Sequence, residues 1–170
     1  CERLKKTAKI VFFLTIQIKL IMNIDKNIKT LIVKKPLKLD CGKTIKNFPI
    51  AYETYGSLNS KKDNAILVFH ALTGDQFVTG LNPITKKDGW WSYAVGPGKA
   101  IDTNKYFVIC SNVIGGCMGS YGPSHNDPDN NKVFGINFPV ITINDIVNAQ
   151  YNLLEYFGID KLFSIAGGSM

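Results

Sequence analysis

Three short, mostly apolar runs constrain the fold of this chain more than any other feature. They are residues 65–69 (AILVF), 106–110 (YFVIC) and 162–166 (LFSIA), and long polar or Gly-rich segments lie between them. Runs of this length and composition are typical of strands that are buried on both faces. Together with a helical segment before the third run, they predict an α/β fold with a mainly parallel sheet and flanking helices.

Residues 141–157 have the pattern of an amphipathic helix that leads into the third run. Thr142 and Asp145 stand at the spacing of a capping box, and Gly158 is placed to end the helix. Positions that recur at helical spacing predict one buried face, made of Ile146, Val147, Gln150, Leu153, Leu154 and Phe157.

The N-terminal part of the chain is less regular, and its composition changes at Pro36. Residues 37–39 alternate, residues 40–43 have turn composition, and residues 45–55 alternate again, which predicts an N-terminal hairpin of half-exposed strands. Residues 1–35 are expected to be an extension and a weakly ordered lead-in, with Met22 as the native start. The apolar run at its beginning is shorter than the about 20 residues that a membrane span needs.

The net charge of +7 is concentrated at one end of the chain. Residues 1–46 hold 12 of the 20 Lys and Arg residues but 3 of the 13 acidic ones. A basic end on a nearly neutral body is not the distributed basic face of a nucleic-acid-binding protein, so neither a nucleic-acid nor a membrane partner is expected. The four cysteines lack paired zinc-site spacing and are expected to be buried, reduced thiols, with no metal site; they are Cys1, Cys41, Cys110 and Cys117.

The last four residues, from Gly167 to Met170, fill the first four positions of the G-x-S-x-G nucleophile elbow of α/β-hydrolases. In that motif the serine lies on a sharp turn between a strand and a helix, which makes Ser169 the candidate nucleophile. The oxyanion hole of this fold uses the N–H after the nucleophile and one from the loop after the third strand. These donors are expected to be Met170 and, by position after the first buried run, Leu72.

The chain contains two histidines, and both precede Ser169. Because the catalytic order in this fold is Ser, then Asp or Glu, then His, neither His70 nor His125 is expected to be the general base. His70 is expected to be a hydrogen-bonded structural residue at a strand end, and His125 a loop residue.

Several motifs resemble the homoserine O-acetyltransferase family, in register from about residue 36 to residue 170. They are residues 51–56 (AYETYG), 66–75 (ILVFHALTGD), 89–99 (GWWSYAVGPGK), 102–122 (DTNKYFVICSNVIGGCMGSYG) and 166–170 (AGGSM). The resemblance implies that residues 36–170 are the N-terminal part of an α/β-hydrolase catalytic domain, with the catalytic Asp and His beyond residue 170. It implies acetyl transfer from acetyl-CoA to L-homoserine through acylated Ser169, with Leu72 in the oxyanion loop.

The same resemblance implies a cytoplasmic enzyme of methionine biosynthesis that has no bound cofactor and that forms a homodimer at full length. Two positions differ from the family pattern: Tyr121 stands in place of Thr, and Asn144 in place of Arg. A serine O-acyltransferase or a homoserine O-succinyltransferase of the same fold remains an alternative. A third possibility is an inactive fragment of a degraded or frameshifted gene.

Overall fold

The computed structural model describes residues 28–169, which form one five-stranded sheet, two small two-stranded sheets and one α-helix. Strands β1 to β9 are Lys29–Val33, Leu37–Lys38, Thr44–Ile45, Phe48–Tyr55, Ala65–Phe69, Val95–Gly96, Ile101–Asp102, Phe107–Ser111 and Ser164–Gly167. Helix α1 is Ile143–Phe157, and a 3-10 turn spans Gly135–Asn137. The predicted start at Met22 and the oxyanion donor Met170 lie outside the described residues.

The main sheet has the strand order β1-β4-β8-β5-β9 and is mixed rather than mainly parallel. Strand β5 pairs in parallel with both β8 and β9, as the buried runs predict. Strand β4, however, is antiparallel to both β1 and β8. No helix separates β1 from β4, and long strands that pair in parallel usually need a crossover connection of a dozen or more residues, most often a helix. The prediction of several flanking helices is corrected to a single α-helix within residues 28–169.

The predicted hairpin exists but is small. Its turn joins β2 to β3, with Leu37 opposite Ile45, while the longer β4 leaves the hairpin and enters the main sheet. Residues 29–33, which the sequence places in a weakly ordered lead-in, form edge strand β1. Leu31 lies opposite Ile50, and Val33 is buried, so β1 is held by apolar packing as well as by the backbone ladder.

The two middle strands, β5 and β8, are buried on both faces, as predicted. On one face Leu67 and Ile109 pack with Leu153 of α1, and on the other face Ile66 and Val108 belong to a second apolar cluster. Strand β9 differs from the prediction of burial, because among the described residues it pairs only with β5. As a result its central residue, Ile165, is 62% exposed.

Helix α1 ends at the predicted Phe157 and begins at Ile143, two residues after the predicted start at residue 141. Thr142 and Asp145 form a reciprocal capping box, and Gly158 ends the helix in the left-handed conformation with φ +66°. The buried face contains Ile146, Ala149, Gln150, Leu153 and Leu154. Val147, which the sequence places on that face, is 48% exposed and borders the site described below.

Asp145 also attaches the helix start to the turn between β2 and β3. Its buried carboxylate accepts hydrogen bonds from the backbone N–H groups of Thr142 and Asp40, each at 2.9 Å. The carboxylate of Asp40 accepts in turn from the Thr142 hydroxyl at 2.5 Å and the Asn144 amide at 2.9 Å. These two bonds lower the pKa of Asp40 below its usual value. Their stabilisation is therefore present above the unfolded-state pKa and is lost as the pH falls through the lowered folded-state value.

We expect Asp145→Ala to lower the free energy of unfolding by about 2–3 kcal/mol, because it removes the Asp145 half of the capping box and leaves the Thr142 and Asp40 backbone donors without an acceptor. Asn144→Ala is the matched control, since it removes one exposed hydrogen bond to Asp40 and is expected to cost much less. Urea unfolding of the two variants measures the difference. Equal midpoints would show that the Asp145 contacts do not stabilise the helix start.

The cysteines differ from the prediction of burial. Cys110 is buried in β8, whereas the thiols of Cys41 and Cys117 are free and exposed on a turn and on a Gly-rich loop. Cys1 lies outside the described residues. Within residues 28–169, no helix has both the length and the apolar character to cross a membrane.

Candidate active site

Ser169 lies just beyond the end of β9 in a conformation that is uncommon for a serine. Its φ is +64°, in the left-handed region that costs a residue with a side chain about 1 kcal/mol or more. Gly167 approaches β5 so closely that a Cβ atom there would lie 2.6 Å from the Phe69 carbonyl oxygen. In a nucleophile elbow, the serine is strained and a glycine two residues before it contacts the neighbouring strand, and both features are present here.

The loop after β5 lies next to this serine, as the parallel pairing of β5 and β9 predicts. The backbone N–H of Leu72 donates a hydrogen bond to the Ser169 carbonyl oxygen at 3.3 Å. The Leu72 N–H, which the sequence assigns to the oxyanion hole, thus points at the elbow, where its hydrogen-bond acceptor is the backbone carbonyl of Ser169. At 3.3 Å this bond is slightly longer than the usual 2.7–3.2 Å range.

A pocket of about 260 Å³ opens beside the elbow. Its walls come from the end of β5, the start of α1 and the elbow itself, and its lining residues are Phe69, His70, Ile143, Ile146, Val147, Gly168 and Ser169. Three of these are aliphatic residues of α1, so the pocket is largely apolar and its polar groups lie at the elbow. This arrangement is typical of small-molecule sites, in which few polar groups set the orientation of the ligand.

His70 is buried and hydrogen-bonded through both ring nitrogens, which agrees with its predicted structural place at a strand end. Its Nδ1 lies 2.7 Å from the Ala71 carbonyl oxygen, and its Nε2 accepts from the Val113 backbone N–H at 3.2 Å. The Asn112 amide nitrogen lies 3.3 Å from the same Nε2. Sequence reasoning did not identify Asn112. The sequence signal that could have identified Asn112 is its place as a polar residue directly after a buried parallel strand.

His125 lies in the loop after β8, where its Nδ1 accepts from the Gly122 backbone N–H at 3.2 Å and its ring packs on Tyr121. Within residues 28–169, no hydrogen bond joins the Ser169 hydroxyl to either histidine. Cys110 is also unsuited to act as a nucleophile, because burial, and to a smaller extent the nearby Asp75, raise the pKa of its thiol well above the usual range. Of these groups, Ser169 and His70 line the pocket, and His70 is hydrogen-bonded through both ring nitrogens.

Comparison with known proteins gives strong sequence matches. A homoserine O-acetyltransferase from Pelagibacter ubique is 75% identical over 149 residues, which are 88% of this chain and 40% of that protein. One from Methanococcus vannielii is 59% identical over 142 residues, 84% of this chain and 29% of that protein. The chain belongs to the homoserine O-acetyltransferase family. It spans between 29% and 40% of the length of these curated relatives, and no family model matches it.

Solved structures agree with this family assignment. The homoserine O-acetyltransferase from Bacillus anthracis matches with a TM-score of 0.75 and 33% identity, over 84% of this chain and 40% of that one. Esterase E22 matches with a TM-score of 0.76 and 35% identity, over the same shares of the two chains. The fold of residues 28–169 is therefore part of the α/β-hydrolase fold that homoserine O-acetyltransferases share with esterases.

The structure shows the contacts of the two residues that were expected to differ from the family pattern. Asn144, in place of Arg, donates to the Asp40 carboxylate, which is an interaction that a basic side chain could also make. Tyr121, in place of Thr, is buried among aromatic rings, and its neighbours Phe48, Phe134 and Phe138 lie at centroid distances of 5.5–6.3 Å. Neither residue lines the pocket beside Ser169.

Proposed function

We propose that this chain supplies the nucleophile and part of the oxyanion hole of an acyltransferase that moves an acetyl group from acetyl-CoA to the hydroxyl of L-homoserine. The observation that carries the proposal is the strained Ser169, which faces the Leu72 peptide within a homoserine O-acetyltransferase sequence. We also propose that the full-length enzyme acts in methionine biosynthesis, in the cytoplasm, and that it is a homodimer. No bound cofactor is required, because both acetyl-CoA and homoserine are substrates.

In the first step the Ser169 oxygen attacks the thioester carbonyl carbon, the carbon–sulfur bond breaks, and CoA leaves as the thiol with the serine proton. In the second step the homoserine hydroxyl attacks the acetyl-serine ester, and Ser169 regains a proton as the O-acetyl product forms. In both steps the carbonyl oxygen becomes negatively charged, and the N–H groups of Leu72 and Met170 would stabilise it. The general base would follow Ser169 in sequence, as the order of catalytic residues in this fold requires.

Water is a rival acceptor, because it can hydrolyse the same acyl-serine intermediate. The similarity to esterase E22 favours this alternative. Serine could also replace homoserine as the acceptor, and succinyl-CoA could replace acetyl-CoA as the donor. The preference for the acyl donor and the preference for the acceptor are therefore measured separately, and not as a single overall rate of transfer.

The test uses a hybrid protein in which the 149 matched residues of this chain replace their counterparts in the Pelagibacter ubique relative. We expect the hybrid to release CoA from acetyl-CoA and to form O-acetylhomoserine faster than O-acetylserine or free acetate. Preference for succinyl-CoA, for serine or for water would instead identify a succinyltransferase, a serine acyltransferase or an esterase. A folded hybrid with no acyl transfer, beside an active parent relative, would indicate that this chain is an inactive member of the family.

A further inference from the structure

The peptide unit between Ala71 and Leu72 is held more tightly than a surface loop requires. Its carbonyl oxygen accepts from the Gly74 backbone N–H at 2.7 Å, and the His70 Nδ1 lies at the same distance. Its other end is the Leu72 N–H, which points at the Ser169 carbonyl. Because a trans peptide is planar, fixing the direction of the carbonyl also fixes the direction of the N–H.

The tautomer of His70 follows from these contacts. A carbonyl oxygen only accepts, so Nδ1 carries the proton and donates it to Ala71. Nε2 is then the acceptor, which fits the N–H of Val113 and the amide of Asn112 that approach it. The neutral ring therefore satisfies each of its contacts in one orientation.

Asn112 connects this histidine to the Gly-rich loop that follows β8. Its Oδ1 accepts from the Met118 backbone N–H at 3.1 Å, so the orientation of its amide is also fixed. Both side chains are almost fully buried, at 1% exposure for His70 and 2% for Asn112. Little room is left for either to move: a Cβ atom on Gly74 would lie 3.0 Å from the His70 Cβ, and one on Gly116 would lie 2.8 Å from the Asn112 Oδ1.

We propose that His70 is a positioning residue for acyl transfer, whose Nδ1–H holds the Ala71 carbonyl and thereby aims the Leu72 N–H at the acyl group on Ser169. This inference rests on the proposed function for the identity of the acyl group, but not for its geometry. It assigns His70 no part in proton transfer. Asn112 and Val113 contribute by keeping the ring in the tautomer that donates to Ala71.

Two substitutions separate the two sides of the ring. His70→Asn places an amide N–H near the Nδ1 position and loses the acceptor at Nε2. His70→Gln places an acceptor near Nε2 and loses the donor to Ala71. A third variant, Ser120→Ala, controls for buried hydrogen bonds alone, because the Ser120 hydroxyl joins the Asn112 carbonyl to the Ala51 N–H and does not touch the 71–72 peptide.

The experiment measures the first-turnover burst of the hybrid protein with p-nitrophenyl acetate, and Tm in parallel. We expect His70→Gln to slow acylation by about 10- to 100-fold per folded molecule, somewhat less than the loss of an oxyanion donor, with little change in KM. His70→Asn should acylate at least about ten times faster than His70→Gln although it loses the contacts to β8. Ser120→Ala should lower Tm without slowing acylation.

Equal acylation by the two His70 variants, or a loss in Ser120→Ala as large as in His70→Gln, would overturn the positioning role. The ester probe requires neither acetyl-CoA nor homoserine. If the ester acylates the hybrid and acetyl-CoA does not, the proposed function fails while the His70 comparison still decides this inference. If neither donor acylates a folded hybrid, both fail.

Discussion

Ser169→Ala is expected to reduce acetyl transfer by the hybrid protein by roughly 10⁴-fold or more, the largest effect of any single substitution in this chain. The reason is that the hydroxyl forms the covalent intermediate, so its loss removes the pathway rather than one stabilising contact. Quenched reactions with acetyl-CoA should show a mass increase of one acetyl group in the parent and none in the variant. O-acetylhomoserine formation, measured in the same samples, should disappear together with the adduct.

Ser164→Ala is the matched control, because Ser164 lies on the strand that leads to Ser169, is exposed and makes one weak hydrogen bond to a backbone carbonyl at 3.4 Å. It should keep both the adduct and the transfer rate. If Ser169→Ala acetylates homoserine at the parent rate, Ser169 is not the nucleophile. The 170-residue chain by itself should not turn over acetyl-CoA, since the general base in this fold follows the serine.

The features that the sequence predicted correctly are those that are encoded locally. The capping box at Thr142, the left-handed Gly158 and the two-sided burial of β5 and β8 each depend on a few neighbouring residues. The proximity of Leu72 to Ser169 was also predictable, because it depends only on two parallel strands that end at one edge of the sheet.

The features that were missed depend on contacts between distant parts of the chain. Strand β1 forms because β4 offers it a partner and an apolar face, and no pattern within residues 29–33 reveals that partner. The contact between His70 and Asn112 joins residues 42 positions apart, so motif spacing along the chain does not disclose it.

The second large effect is expected from substitution of Gly167, which lies two residues before the nucleophile. A Cβ atom on Gly167 would lie 2.6 Å from the Phe69 carbonyl oxygen and 2.9 Å from the Phe69 Cβ, whereas one on Gly168 meets nothing within 4 Å. The first contact is with the backbone of the paired strand, so it cannot be relieved by a side-chain rotation. Ser169 would move with any shift of β9, because the elbow follows that strand directly.

Gly167→Ala and Gly168→Ala therefore form a matched pair, in which the same methyl group is added at adjacent positions. We expect Gly167→Ala to cost about 2–3 kcal/mol of stability through overpacking and to slow acylation of the hybrid protein by about 100-fold or more. Gly168→Ala should be neutral or stabilising by about 0.5 kcal/mol, since alanine restricts the unfolded chain. Urea unfolding and the p-nitrophenyl acetate burst measure the two effects. Equal behaviour of the two variants would show that the approach of β9 to Phe69 does not hold the elbow in place.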